Sequence, residues 1–208
     1  DGRMAYHYRV DHPNRGWSEI LSARYVESRY SRDGQPDVVL YHDPNHTYTI
    51  DAMAQAYQDA MAHFIDRYGP PPFETFRMAE QSLHFDEMGS RSGMGFSTEI
   101  LGWKTDLSAS DGEDLNDMAA KMMGMCWFGD QLIPANVAGA KIIHSGLPYW
   151  TAALYLHQHR EPNMDRNLRL QSALEMFRNR GEMTDQEMPF DHEFKDSGMI
   201  RKKGSVEV

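Results

Sequence analysis

Lys121-Met122-Met123-Gly124-Met125-Cys126-Trp127-Phe128-Gly129-Asp130-Gln131-Leu132-Ile133-Pro134-Ala135 joins the end of a helix to a loop. Upstream, Asp111-Gly112-Glu113-Asp114 puts negative charge where a helix dipole is positive, which marks a helix start. Met118, Met122 and Met125 recur at spacings of four and three, as one helical face requires. The expected helix therefore runs from Asp111 to about Phe128, a loop covers 129–139, and helices follow over 143–159 and 163–180.

Toward the N-terminus the period changes. Residues 3–10, 20–31 and 37–42 are rich in Tyr, Val and Arg or form short apolar runs, and read as strands. Turn chemistry separates them at Asp11-His12-Pro13-Asn14, Arg32-Asp33-Gly34-Gln35-Pro36 and Asp43-Pro44-Asn45. From 51 to 68, Met53, Tyr57, Ala60, Met61, Phe64, Ile65 and Tyr68 follow helical spacing, with Thr49 or Asp51 as N-cap and Gly69-Pro70-Pro71-Pro72 as the stop. A strand over 75–80, a Gly/Ser-rich loop over 89–95 and an extended piece over 98–105 complete the pattern. Strands followed by helices mean an α+β fold. The reading divides the chain into a strand-rich segment, 1–50, and a larger domain, 51–208.

The chain has 208 residues, with 21 Lys and Arg against 31 Asp and Glu for a net charge of −10. Phosphate binding needs a basic face, so nucleic acid is excluded as the main partner. The compact basic run Arg201-Lys202-Lys203 reads as a solvated tail. With 40% hydrophobic residues the chain can build a core. One cysteine, Cys126, forbids an internal disulfide and a cysteine-based structural zinc site. The most apolar stretch, 132–156, carries Lys141, His144 and Pro148 and is not a transmembrane helix. The start at Asp1 without a methionine and the uncapped end Gly204-Ser205-Val206-Glu207-Val208 read as ends cut from a longer protein.

Trp127-Phe128-Gly129-Asp130-Gln131-Leu132-Ile133-Pro134-Ala135, with Gly146-Leu147-Pro148 inside the next helix, resembles the gluzincins. More narrowly, it is similar to the membrane alanyl aminopeptidase family, in the bacterial type fused to ABC-transporter permease segments. Leu21-Ser22-Ala23-Arg24-Tyr25, Thr98-Glu99 ahead of Gly102, Asp106-Leu107, Arg178-Asn179-Arg180-Gly181, Glu187-Met188-Pro189 and Lys203-Gly204-Ser205 fit in the same order. The resemblance implies a thermolysin-like catalytic domain and an extracytoplasmic location beside membrane segments of the parent protein. It also implies a cleft between the sheet edge near Thr98 and Glu99, which would bind substrate, and the helix over 115–128.

The chemical positions depart from that family. Its helix carries His-Glu-x-x-His, two histidines one turn apart for zinc and a glutamate as general base. Here those five positions are Lys121-Met122-Met123-Gly124-Met125. Lysine brings a cation to a dication's place, and methionine is a soft thioether suited to copper(I). Met122 cannot accept a proton. The third ligand, a glutamate, falls at Ser145, with His144 in its place only if the register slips by one. The tyrosine that supports the tetrahedral intermediate is replaced by Arg201. The resemblance thus implies a peptidase-like domain with no zinc or other cofactor at this site, inactive as written, that binds a peptide or protein segment. The alternative is an active zinc aminopeptidase whose residues at 121–125 and 144–149 differ from these. A third is a different metal- or thiol-dependent enzyme on the same scaffold.

Other groups in the chain could supply replacement chemistry. His157 and His159 lie about 200° apart round a helix and cannot chelate one ion together. His42, Asp43 and His46 flank a turn and could grip a metal weakly, as could His84 with Asp86 and Glu87, though both groups read better as turn or loop polar residues. Cys126 reads as a core thiol and the methionine stripe as core packing. Lys121, if it faces the cleft, needs an anionic partner, and Glu99 is the expected one.

Overall fold

The structure, a computed structural model, describes residues 21–81, 88–91, 93–98, 103, 112–129, 132 and 146–159. The expected strand over 3–10, the expected helix over 163–180, Glu99, His144, Ser145, Arg201 and the His84 group lie outside the described residues.

Five strands form one sheet: β1 (Val26–Tyr30), β2 (Asp37–His42), β3 (Thr75–Gln81), β4 (Met88–Arg91) and β5 (Met94–Thr98), in the order β1-β2-β3-β5-β4. The turn over 32–36 returns the chain, so β1 and β2 pair antiparallel, Tyr30 opposite Val38. β2 and β3 pair parallel, Val38 opposite Phe76, and a parallel neighbour requires a crossover. Helix α1 (Ile50–Tyr68) is that crossover. The strands on either side of residue 50 therefore belong to one sheet.

Inward residues alternate along β2 and β3, as a pleated strand demands. Val38, Leu40, Phe76 and Met78 have no exposed surface and join one cluster with Met53, Tyr57, Ala60, Met61 and Phe64 of α1. Tyr57 and Phe76 meet with ring centroids 4.9 Å apart. Each such side chain contributes about 1.5–3 kcal/mol by leaving water.

α1 begins one residue earlier than its spacing indicates, with Thr49 at the N-cap. The Thr49 side chain makes no capping bond; its hydroxyl is buried without a partner. Asp51, in the first turn, accepts a hydrogen bond from the Tyr30 hydroxyl at 2.6 Å. Burial, first, and that bond push the Tyr30 phenol up to about 12. Because the folded value lies above the unfolded one of about 10, Tyr30's contribution is intact below pH 10 and is lost as pH climbs through about 12. In an alkaline titration followed by phenolate absorbance, Tyr30→Phe should remove one phenol ionising near 12; removal of one ionising near 10 would contradict this.

Residues 89–95 are not the loop that their glycine and serine content indicates. β4 and β5 pair antiparallel there, with Arg91 opposite Met94 across a two-residue connection. Gly93 turns with φ +79°, and a Cβ on it would lie 2.5 Å from Cγ of Phe73, so only glycine fits. Side chains as small as Gly and Ser carry no period, and the hairpin rests on backbone pairing and that turn. A second consequence concerns the cleft. β5 is not a sheet edge over 94–97, because β3 flanks it on one side and β4 on the other. Thr98 pairs with Gln81 of β3, past the last β4 partner, Met88 opposite Ser97. The outermost described strand on that side is β4.

Helix α2 (Gly112–Gly124) packs on α1, and α3 (Leu147–His159) packs on α2. Gly146, in a π turn, runs directly into α3, so Gly146-Leu147-Pro148 is helical, as expected. The described structure is α+β, with the core between the sheet, α1 and α2.

Candidate functional site

α2 is covered on more than one side. Leu115, Met118, Ala119 and Met122 recur at spacings of three and four, and Ala120 and Met123 are buried beside them. Only Asn116, Asp117 and Lys121 keep partial access to solvent over 115–122. Lys121 donates to the Asp117 carboxylate, one turn back on the same helix. An acid four residues before a lysine is the favourable order, worth about 0.2–0.5 kcal/mol on a helix surface. The ammonium also stands 6.0 Å from the centre of the Tyr149 ring on α3, at the outer limit of cation–π attraction. Among the described residues the anionic partner of Lys121 is Asp117, a neighbour that i, i+4 spacing identifies, while Glu99 lies outside them.

After Gly124 the α-helix gives way to a π turn, Met125–Gly129. A π turn widens the helix and shifts every later side chain round the axis. Met118 and Met122 are buried, at 4% and 0% exposure, whereas Met125 is only partly so. The methionine stripe is core packing for its first two members and leaves the core at the third.

The π turn faces the C-terminal end of α1. Trp127 donates from its indole nitrogen to the Gly69 carbonyl at 3.0 Å, filling an acceptor at the helix end, and its ring stands 5.4 Å from that of Phe64. Phe128 meets Tyr68 edge-on at 5.0 Å. Trp127 and Phe128 therefore act as packing residues that fix where α2 ends. Cys126, at 1% exposure, is a core thiol beside the buried Tyr57 phenol, whose pKa burial raises, with Cys126 adding to the rise.

No protein-family model matches this chain, and no curated protein sequence does.

The donor set at 121, 122 and 125 does not fit zinc. Lys121 is a cation already neutralised by Asp117, Met122 is sealed in the core, and Met125 offers a thioether. Imidazole and carboxylate are what zinc requires alongside thiolate. Met122 and Met125 carry no basic group and the Lys121 amine donates to Asp117, so the three positions hold no general base. What α2 offers instead is a buried face of Met118, Ala119, Met122 and Met123 with the Lys121–Asp117 pair at its rim. Thr98 ends β5.

His42, Asp43 and His46 belong to a self-contained network at the end of the sheet. His42 donates from Nδ1 to its neighbour's carbonyl at 2.9 Å, leaving Nε2 to accept from the Ser28 hydroxyl at 3.0 Å. His46 Nδ1 donates to Glu80 Oε1 at 2.6 Å, and the Asp43 backbone N–H donates to Oε2 at 2.8 Å. Glu80 is 7% exposed, so these donors are what make its burial tolerable. The Asn45 backbone N–H, first, and its side-chain amide hold the Asp43 carboxyl below the usual carboxylate range. The network satisfies itself, and its role is to tie the turn after β2 to β3.

Proposed function

We propose that this chain is a peptidase-like domain of the gluzincin type, resembling the membrane alanyl aminopeptidases, that takes no zinc at the helix over 121–125 and binds a peptide or protein segment without cleaving it. The observation that carries this reading is the complete burial of Met122, the position of the general base in that family, next to a lysine already paired within its own helix. A thermolysin-like arrangement is supported by a mixed sheet, a helix ending in Trp127-Phe128-Gly129, and a following helix that crosses it. Filling a metal pocket with methionine is a stable alternative to leaving imidazole and carboxylate there without an ion.

The segment bound is an extended one. β4, outermost among the described strands, lies against the π turn, and an extended peptide would add its backbone to that strand. Thr98 and Glu99, just past the pairing of β4 with β5, are the proposed contacts for a peptide terminus. The same resemblance places the parent protein at a membrane with the domain on the extracytoplasmic side; among the described residues no helix is long and apolar enough to cross one.

Amide hydrogen exchange on the intact chain, with and without a pool of unstructured peptides, tests the binding. The expected result is slowed exchange at 88–91 with every peptide recovered uncut. Unchanged exchange there removes the binding surface, and cut peptides remove the claim of inactivity.

A further inference from the structure

On the far side of α1 from the sheet network, a cleft of about 530 Å³ opens between the helices, lined among others by Asp59, His63 and Asp66 of α1, Asn116 of α2, and Tyr155 and His159 of α3. Two histidines distant in the chain meet in it, with ring centroids 5.2 Å apart and planes at 88°.

We propose that this cleft is a two-histidine site for a borderline divalent metal ion such as Zn²⁺, held by Nε2 of His63 and Nε2 of His159 with water completing the shell.

Three observations carry it. First, Nε2 of His63 is buried and has no hydrogen-bond partner, an unsatisfied polar atom that calls for a missing partner. Second, His159 donates from Nδ1 to the Tyr155 carbonyl at 2.8 Å. That bond fixes the tautomer and leaves the Nε2 lone pair available, the support that metal-binding histidines ordinarily have. Stacking on the Tyr155 ring, with centroids 4.3 Å apart, holds the imidazole further. Third, the ring separation suits a shared ion. With metal–nitrogen bonds of about 2.0–2.1 Å and a tetrahedral angle, two imidazole centres sit roughly 5 Å apart.

The surroundings agree in charge. Burial, then His159 and Arg67, push the His63 imidazole down, with Asp66 opposing. Asp59 on the same wall is engaged by Arg32 at 2.8 Å and by Gln55, so it contributes field rather than a ligand. Among the described residues no three His, Cys, Asp or Glu side chains stand close enough to hold a metal, so these residues supply two ligands here. His159 is exposed, which gives the ion a way in. This site is separate from positions 121, 122 and 125 and stands whether or not the peptidase resemblance does.

Calorimetric titration of the chelator-treated intact chain with ZnCl₂ tests it. One ion per chain is expected, with binding weakened by about tenfold or more in each of His63→Asn and His159→Asn. Nitrogen-15 NMR of the wild-type imidazoles, which involves no variant, should show the Nε2 resonances of both rings moving with added Zn²⁺. Absence of binding, binding that survives both substitutions, or shifts confined to other histidines would each overturn the proposal.

Discussion

Met122→Glu should lower the unfolding free energy by about 3–5 kcal/mol, the cost of an uncompensated buried charge. Glutamate and methionine have similar length, so the loss is electrostatic rather than steric. The Met122 side chain has no exposed surface and lies in the cluster that joins α2 to α1. Among the described residues a carboxylate placed there meets no free cation, because the nearest in sequence, Lys121, is held by Asp117 on the partly exposed strip. The folded pKa of the new carboxyl must rise above its unfolded value of about 4.3. A raised carboxyl pKa means that the penalty is full above the folded value and shrinks as pH falls toward 4.3. Urea unfolding at several pH values reads both features. Met122→Leu, which conserves volume and polarity, should cost under about 1.5 kcal/mol. A glutamate variant as stable as the parent would show that position 122 opens to solvent or to a cation.

The second large effect is expected at Gly124→Ala. A Cβ there would lie 2.3 Å from the Pro148 carbonyl oxygen and 3.2 Å from its Cα. Both are backbone atoms of α3, which cannot swing aside as a flexible side chain can. Alanine in a helix interior ordinarily gains about 1 kcal/mol over glycine. Here the gain is outweighed, because α2 and α3 must separate at their closest approach. Overpacking of this kind costs about 1–3 kcal/mol, so the net change is destabilising, and Gly124→Val should lose more. A rise in the unfolding midpoint of the alanine variant would mean that the helices do not cross at this glycine.

Periodicity served well where side chains are large. β2 falls over 37–42 as the apolar run indicates, and α1 departs from its expected start by one residue, because its apolar face and the Gly69 stop leave little freedom. It failed where side chains are small: residues 89–95 form strands and a turn through backbone pairing, for which Gly and Ser leave no pattern. The π turn at 125–129 was equally invisible, since the same apolar residues satisfy an α-helix until tertiary packing of Trp127 against Gly69 decides otherwise.

Residues at the candidate site were legible in unequal measure. The burial of Met118, Met122 and Cys126 follows from apolar character and spacing. The Asp117–Lys121 pair is readable from i, i+4 spacing, whereas a partner across the cleft leaves no local signal. The His42–Glu80–His46 network depends on β2 and β3 becoming parallel neighbours, and the meeting of His63 with His159 depends on α1 and α3 converging. Neither leaves a local signal, because each joins segments brought together only by the fold.

The most direct test of the central claim is hydrolysis itself. The intact chain, its mass verified, is incubated with an aminoacyl anilide and with short peptides, in chelator and in excess Zn²⁺. No cleavage above the protein-free control is expected in either condition, since position 122 supplies no base and positions 121 and 125 no zinc ligands. Zinc-dependent release of product, abolished by chelator and lost in a Met122→Leu variant, would contradict it.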